Sequence, residues 1–142
     1  MDAITITTLA STAVSLLIPY LKSIIEGAGK KAVEQVGSKT GELAWDKAKQ
    51  LYEAIKAKFS VKRDTKKIMS SLEKTPDDSD LQAVMRFQLK EMITKDEKFA
   101  KELATILVDA SKAGADVIFD TKIVGNVQKF IQIGNVDGDI NL

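Results

Sequence analysis

The sequence predicts an all-α protein, an antiparallel bundle of four to five helices, followed by a short β-prone tail that we expect to form amyloid. Apolar residues recur at intervals of three and four up to about residue 113, as on helices with one buried face. The connections are short, which favours antiparallel neighbours. Past Gly114 this period ends, and Val, Ile, Asn, Gln and Gly dominate. We therefore divide the chain into a helical domain, residues 1–113, and a tail, residues 114–142.

Five helical segments follow one another in the first domain. The first three cover about Thr5–Ile25, Lys30–Phe59 and Val61–Glu73. The fourth starts near Ser79 and the last fades near Gly114. Each carries an apolar stripe, and the predicted core positions of the second, fourth and fifth are Leu43, Ala44, Trp45, Ala48, Leu51, Tyr52, Ile55, Phe59, Leu81, Val84, Met85, Leu89, Met92, Ile93, Phe99, Leu103, Ile106, Leu107 and Ala110.

Local signals set the helix boundaries. Pro76 and the acids around it favour a turn before the fourth helix. Ser79 with Gln82, and Thr94 with Glu97, have the spacing of capping boxes at the starts of the last two helices. Gly37 and Gly41 interrupt the second helix, either as a kink or as a small-residue face for close helix packing, and the sequence leaves both open.

The composition restricts the possible functions. The chain contains no cysteine and no histidine and has a formal net charge of +1. Disulfides, cysteine-ligated zinc and cysteine nucleophiles are excluded, and the commonest general base and metal ligand is missing. We expect a protein that is not an enzyme, needs no cofactor or metal, and does not bind nucleic acid. We find no secretory signal, so we expect a cytoplasmic location at rest.

The first helix carries no charged residue between Asp2 and Lys22. These uncharged residues span about 28 Å as a helix, close to the thickness of a bilayer core. Two interpretations stay open: a buried central helix, or a helix that is buried at rest and enters a membrane when released. Hydroxyl groups in its first half fit both, because they can bond back to helix carbonyls. The residues predicted to face lipid are Ile4, Ile6, Leu9, Val14, Leu16, Leu17, Ile18 and Leu21.

A basic run spans the end of the second helix and the start of the third. Six cations fall within a dozen residues that hold one acid, Asp64. On one surface they would attract anionic lipid headgroups, at about 1 kcal/mol per charge. A solvated helix face is the alternative. The predicted headgroup contacts are Lys56, Lys58, Lys62, Arg63, Lys66 and Lys67.

The tail contains an imperfect repeat with an offset of nine residues. Val124–Val127 matches Ile133–Val136, and Ile131–Ile133 matches Ile140–Leu142. Each copy has an apolar residue, a Gly-Asn turn, a valine and an apolar-amide-apolar strand, which favours a β-arch. Two thin strands bury too little area to be stable alone.

The tail must therefore dock, either on the helical domain as a hairpin or on copies of itself. Stacking in register would build amide ladders and a dry apolar zipper. We predict an amyloid motif formed by Val124, Gly125, Asn126, Val127, Gln128, Phe130, Ile131, Gln132, Ile133, Gly134, Asn135, Val136, Ile140 and Asn141.

Two segments resemble known families. Ile131-Gln132-Ile133-Gly134 looks like the core tetrad of the RIP homotypic interaction motif, and the flanking "GNVDGDINL" resembles fungal and bacterial amyloid signalling motifs. The uncharged first helix and "ELAWDKAKQLYEAIKAKF" resemble the bacterial Bell domain, over about residues 1–113. That family is similar to the fungal HeLo domain and to the four-helix executioner domain of mixed-lineage kinase-like proteins.

The resemblance implies a regulated cell-death effector. A partner receptor of the bacterial NLR-like type would carry a matching motif and template the tail into a homotypic fibril. The fibril would concentrate the helical domains and release the helix Ala3–Leu21 into the cell membrane. Two alternatives are a non-lytic adaptor that assembles through its tail, and an enzyme or small-ligand domain whose tail is a docked hairpin.

Overall fold

The structure, a computed structural model, describes residues 3–26, 41–112 and 129, and within these residues all regular secondary structure is helical. Five helices occur there: α1 (Ala3–Glu26), α2 (Gly41–Phe59), α3 (Arg63–Lys74), α4 (Ser79–Lys95) and α5 (Glu97–Lys112). The all-α prediction is confirmed for this part of the chain. The predicted start of the second helix at Lys30, the question of Gly37, the domain edge at 113–120 and the β-prone tail apart from Lys129 lie outside the described residues.

Helix α4 begins one residue earlier than the predicted capping box requires. Asp78 is its N-cap, and its carboxylate accepts hydrogen bonds from the backbone N–H of Asp80 at 2.9 Å and of Leu81 at 3.2 Å. Ser79 is the first residue inside the helix, and the Gln82 amide instead donates to the carbonyl of Pro76 at 2.8 Å. The proposed Ser79–Gln82 box is therefore wrong, because an ionised carboxylate is available one position earlier.

The predicted N-cap of helix α5, Thr94, is also wrong. Asp96 has extended backbone angles between α4 and α5, and its carboxylate accepts from the N–H of Phe99 at 3.1 Å. Thr94, the predicted cap, lies in the last turn of α4 and donates its hydroxyl to the carbonyl of Lys90. One residue thus ends α4 and caps α5, so the two helices reverse direction sharply.

The ion pairs fix the direction of α2 relative to α5. Lys58, near the end of α2, pairs with Asp96 at the start of α5. Lys47, near the start of α2, lies 3.6 Å from Asp109 near the end of α5. The two helices are therefore antiparallel.

Helix α1 runs antiparallel to α4. Lys22, near the end of α1, pairs at 2.9 Å with Asp77, just before α4 begins, and the two helices pack along each other. Helix α1 also contacts α2 and α5, whereas α3 packs on α2 and α4. All five helices contribute to one apolar core, whose fully buried large side chains include Leu9, Leu17, Leu51, Ile55, Phe59, Leu72, Met85, Leu89, Leu103 and Leu107.

Among the predicted core residues whose side chains the structure describes, one is misplaced; the side chains of Leu43, Ala44 and Trp45 lie outside the described part. Val84 is 39% exposed, while Met85, Leu89 and Ile93 form the buried stripe of α4. The buried stripe follows intervals of four residues, and Val84 lies on the far side of the helix from its centre.

Candidate functional site

Helix α1 contributes one side to the core of the bundle. Of the residues predicted to face lipid, four are buried in the core: Leu9, Val14, Leu17 and Leu21. Three are half-buried against it: Ile6, Leu16 and Ile18. Ile4 differs, since 71% of it is exposed. In this conformation the apolar face of α1 is thus covered by other helices.

From Ala3 to Leu21 the outer side of α1 is uncharged. Four hydroxyl residues, Thr7, Thr8, Ser11 and Ser15, are exposed or half-buried there, and we call them the hydroxyl strip. The hydroxyl of Thr8 donates to the carbonyl of Ile4 at 2.9 Å, within the helix itself. Such a bond persists in water or in lipid, because both partners belong to the same helix. The strip therefore offers water a polar face without presenting a charge.

The length and composition of α1 meet the requirements of a membrane-spanning helix. The window Ala3–Ile25 has a mean hydropathy of 1.6, and 56% of it is buried in the bundle. Within the described residues it is the one helix that passes this test, which buried core helices of soluble proteins also pass. Composition alone does not separate the two interpretations.

The last turns of α1 make specific contacts with α2. The rings of Tyr20 and Tyr52 lie 5.4 Å apart and are tilted by 40°. Lys56 donates to the Tyr52 hydroxyl at 2.9 Å and pairs with Glu73 of α3 at 3.4 Å. Tyr20, Tyr52, Lys56 and Glu73 thus form one group, the tyrosine cluster, that links three helices.

The pKa values in the tyrosine cluster follow from these contacts. Burial, with Tyr52 and Glu53 nearby, raises the pKa of Tyr20. The hydrogen bond to the Tyr52 hydroxyl, helped by Glu73, raises the pKa of Lys56. Lys56 therefore stays charged, and its exposed ammonium group is engaged by Tyr52 and Glu73 at the surface of the bundle.

Lys58 is likewise engaged. Its ammonium group pairs with Asp96 and lies 5.7 Å from the centre of the Phe99 ring. The hydrogen bond from Lys58, and next the one from the N–H of Phe99, lower the pKa of Asp96. Two of the six predicted headgroup contacts, Lys56 and Lys58, therefore serve contacts between helices.

The remaining four cations form an exposed group at the start of α3. Lys62, Arg63, Lys66 and Lys67, here called the basic patch, are all exposed. Among the described residues none of them pairs with an acid. The buried residues of α3 lie on the opposite face: Thr65, Met69 and Leu72. The patch is therefore directed to solvent.

The basic patch and the N-terminus of α1 share one end of the bundle. Lys22 and Asp77 mark the opposite end, and α1 runs antiparallel to α4. The first turn of α1 therefore lies level with the end of α4, where α3 also begins. Exposed apolar side chains accompany the cations at this end, with Ile4 at 71% and Val61 at 77% exposure.

The predicted amyloid motif, from Val124 to Asn141, lies outside the described residues. Lys129 within it is described and is exposed.

Sequence reasoning missed two groups of functional interest. Asp96 was passed over as a cap in favour of Thr94, although Asp is an equally good N-cap and stands directly before Glu97. The tyrosine cluster joins residues of three helices, and no spacing in the sequence signals such a group.

Comparison of the chain with models of protein families finds no match, and no curated protein or solved structure matches it either. In residues 3–26 and 41–112 no three potential metal-ligating side chains come together.

Proposed function

We propose that this protein is an amyloid-regulated, membrane-disrupting effector of regulated cell death, without enzymatic activity. It rests in the cytoplasm and acts at the cell membrane. The observation that carries the proposal is that α1, from Ala3 to Leu21, is a core helix on one side and free of charge on the other. The resemblance of the chain to Bell domains and RHIM-like motifs supports the same interpretation.

The energetics favour an exchange between bundle and lipid. Leaving the core costs the apolar burial of residues such as Leu9 and Leu17, at about 25 cal/mol per Å². Burial of the same side chains in a bilayer offsets this free-energy cost, because the bilayer interior is as apolar as the core. The hydroxyl strip adds no charge to be desolvated, and the Thr8 hydroxyl keeps its partner within the helix.

The basic patch supplies the attraction to a membrane. Four exposed cations near an anionic surface contribute about 1 kcal/mol each. They lie at the same end as the first turn of α1, so docking through the patch brings that turn to the headgroups first. Exposed Ile4 and Val61 then meet the interface together with the cations.

The tail provides the control. A receptor of the NLR-like type with a matching motif templates Ile131–Gly134 into a fibril, and copies of this chain extend it. The fibril raises the local concentration of helical domains, and this multivalency strengthens their membrane binding. A slow nucleation step keeps single molecules inactive until a template arrives.

The first experiment tests the link between assembly and lysis. We expect the full-length protein to form thioflavin-positive fibrils and then to release dye from anionic liposomes. Ile133→Asp should abolish both, because stacked carboxylates repel within a dry zipper. Ile118→Asp, in the tail but outside the repeat, is the matched control and should leave both intact. Leakage by a non-assembling Ile133→Asp protein would refute control by the tail.

The second experiment tests the membrane contact. Lys62→Gln, Lys66→Gln and Lys67→Gln together should weaken binding to anionic vesicles by about 3 kcal/mol, at about 1 kcal/mol per charge. The control replaces three exposed lysines elsewhere, Lys49, Lys74 and Lys90, and changes the net charge equally. Equal losses in the two triple variants would show that overall charge, and not the basic patch, governs binding.

The burial of α1 favours one alternative, a non-lytic adaptor whose first helix never leaves the core. That protein would form fibrils and bind partners through its bundle. It predicts assembly without dye release under every lipid composition, which the first experiment measures directly.

A further inference from the structure

Helix α1 consists of two parts that are held in different ways, and Pro19 stands between them. The first part, residues 3–18, is here called the arm. It carries no charged residue. Thr5 and Thr12 are buried hydroxyl residues in it, and its large buried aliphatic side chains include Leu9, Val14 and Leu17. A bilayer can replace contacts of this kind, since they require an apolar surrounding and no particular partner.

The second part, residues 20–26, is here called the anchor. Its contacts are specific to the bundle. The Tyr20 ring meets Tyr52 at 5.4 Å, and Lys22 pairs with Asp77 at 2.9 Å. Lipid tails cannot replace an aromatic partner with fixed geometry or a carboxylate partner for Lys22.

Pro19 is the place where the two parts can separate. It lies inside the helix and has no backbone N–H, so the carbonyl of Ser15 lacks its usual donor four residues on. Pro19 and Ser15 are both exposed. Bending at this point therefore breaks no helix bond between these two residues, and water can reach the free carbonyl.

We propose that Pro19 is a hinge: the arm swings out of the bundle into lipid, while the anchor stays docked on the rest of the domain. This inference rests on the proposed function and specifies how α1 acts. The arm has a length of about 24 Å as a helix, less than the roughly 30 Å of a bilayer core. It therefore enters as a wedge that disturbs one leaflet more than the other, and it does not cross as a complete span.

The geometry of the bundle agrees with this motion. The hinge lies toward the end marked by Lys22 and Asp77, and the free tip of the arm lies at the end that carries the basic patch. A domain docked through the patch holds the tip of the arm next to the headgroups. Because the tip and the hinge are about 24 Å apart along the helix, the whole arm enters lipid only when the domain then tilts and brings Pro19 to the membrane surface, with the anchor still in place against α2.

Site-specific labelling tests the hinge in the full-length protein. The chain has no cysteine, so a single introduced cysteine carries an environment-sensitive dye without background. Thr7→Cys and Ser15→Cys report on the arm and Ile25→Cys on the anchor; all three positions are exposed, so the label need not disturb the core. The assembled protein is mixed with anionic vesicles whose acyl chains carry a nitroxide quencher.

We expect strong quenching at residues 7 and 15 and several-fold weaker quenching at residue 25. Equal quenching at all three positions would overturn the hinge and leave the proposed function standing, since α1 then enters as a whole. No quenching and no dye release would overturn both. Dye release without quenching at residues 7 and 15 would also overturn both, because another segment would then be acting on the membrane.

A second variant tests the hinge by function. Pro19→Ala supplies the missing N–H to the Ser15 carbonyl, and we expect a more stable bundle that releases less dye. Thr7→Ala, at an exposed position of the arm, also favours helix but leaves the hinge unchanged, so its dye release should match or exceed the wild type. Unchanged release by a folded and stabilised Pro19→Ala protein would overturn the hinge.

Discussion

Helices α1 and α5 each pack against three other helices: α1 against α2, α4 and α5, and α5 against α1, α2 and α4. Both have fully buried leucines, Leu17 in α1 and Leu103 in α5. Their outer faces differ. The outer side of α1 shows hydroxyl groups up to Lys22, while the exposed and half-buried positions of α5 include Glu97, Lys98, Lys101, Glu102 and Asp109.

The two helices are also fastened differently. Ion pairs at both ends tie α5 to α2, through Asp96 at its start and Asp109 near its end. Helix α1 has charged contacts only past Pro19, because the arm has no charge. Two helices with similarly buried faces can thus differ in whether they could also be accommodated in lipid, because that depends on the charges of their outer faces. A charge at the bilayer centre costs about 2.5–3.5 kcal/mol; the charged residues of α5 would carry this cost in lipid, and the arm of α1 would not.

The largest expected effect tests whether the two helices are equivalent in the core. Leu17→Ala and Leu103→Ala should each lower the free energy of unfolding by about 2–5 kcal/mol, because each leaves a cavity at a fully buried site. Urea titration measures both. Ile4→Ala, at an exposed site of α1, is the control and should change stability by less than about 0.5 kcal/mol. A small loss for Leu17→Ala alone would show that α1 is not an integral core helix.

The next effect tests the difference between the outer faces. Thr7→Lys adds a charge to the hydroxyl strip about 18 Å from Pro19, near the bilayer centre once the arm has entered, and should reduce dye release roughly a hundredfold, since insertion then costs about 3 kcal/mol more. Thr105→Lys places the same charge on the exposed face of α5 and should leave release unchanged. Urea titration should show both variants folded. Comparable losses in the two variants would contradict a special role for α1.

A third test concerns pH and the start of α5. Lys58 lowers the pKa of Asp96 in the folded protein, so Asp96 stabilises the fold above its unfolded pKa of about 3.9. This contribution is lost as the pH falls through the lowered folded value. Asp96→Asn keeps an N-cap but loses the ion pair. Its melting temperature should be lower than that of the wild type at pH 7 and should fall less on acidification.

Lys58→Gln removes the partner in the same ion pair and should flatten the acid dependence in the same direction. Thermal unfolding from neutral to strongly acidic pH measures all three proteins. If the two variants keep the full acid dependence of the wild type, the Lys58–Asp96 pair does not control the pKa of Asp96.

The smallest expected effect concerns the exposed ion pairs. Lys22→Gln breaks the pair with Asp77 in the anchor, and Lys47→Gln breaks the pair between α2 and α5. Each should cost about 0.2–1 kcal/mol in urea titrations at low salt, because water screens exposed charges. High salt should remove both differences. Dye release should distinguish the two variants, because Lys22→Gln weakens the attachment of α1 to the bundle and Lys47→Gln does not.

Much of the fold could be predicted from local pattern. The intervals of apolar residues placed the helices, and the predicted ends of the first and third helices, Ile25 and Glu73, lie within one residue of Glu26 and Lys74. The caps were placed wrongly because Ser79 and Thr94 match the same spacing rules as Asp78 and Asp96, and sequence spacing does not show which side chain accepts the backbone N–H groups.

The candidate site was predictable only in part. The sequence grouped six cations by their nearness along the chain, but Lys56 and Lys58 each pair with an acid outside their own helix, whereas no acid among the described residues pairs with the four cations in 62–67. Neighbours along a helix point in different directions, about 100° apart for consecutive residues. Which of them meets an acid depends on where another helix packs.

The sequence by itself determined the helical periods, the absence of charge in the arm and the nine-residue repeat of the tail, because each is a property of residues close together in the chain. The tertiary structure alone decided that Lys58 meets Asp96, 38 positions away, and that Tyr20 meets Tyr52. It also decided that the basic patch shares an end of the bundle with Ile4. Contacts of this kind arise when whole helices pack against each other. That packing depends on the fit of all core side chains together, and a local sequence pattern does not include residues that are distant in the chain.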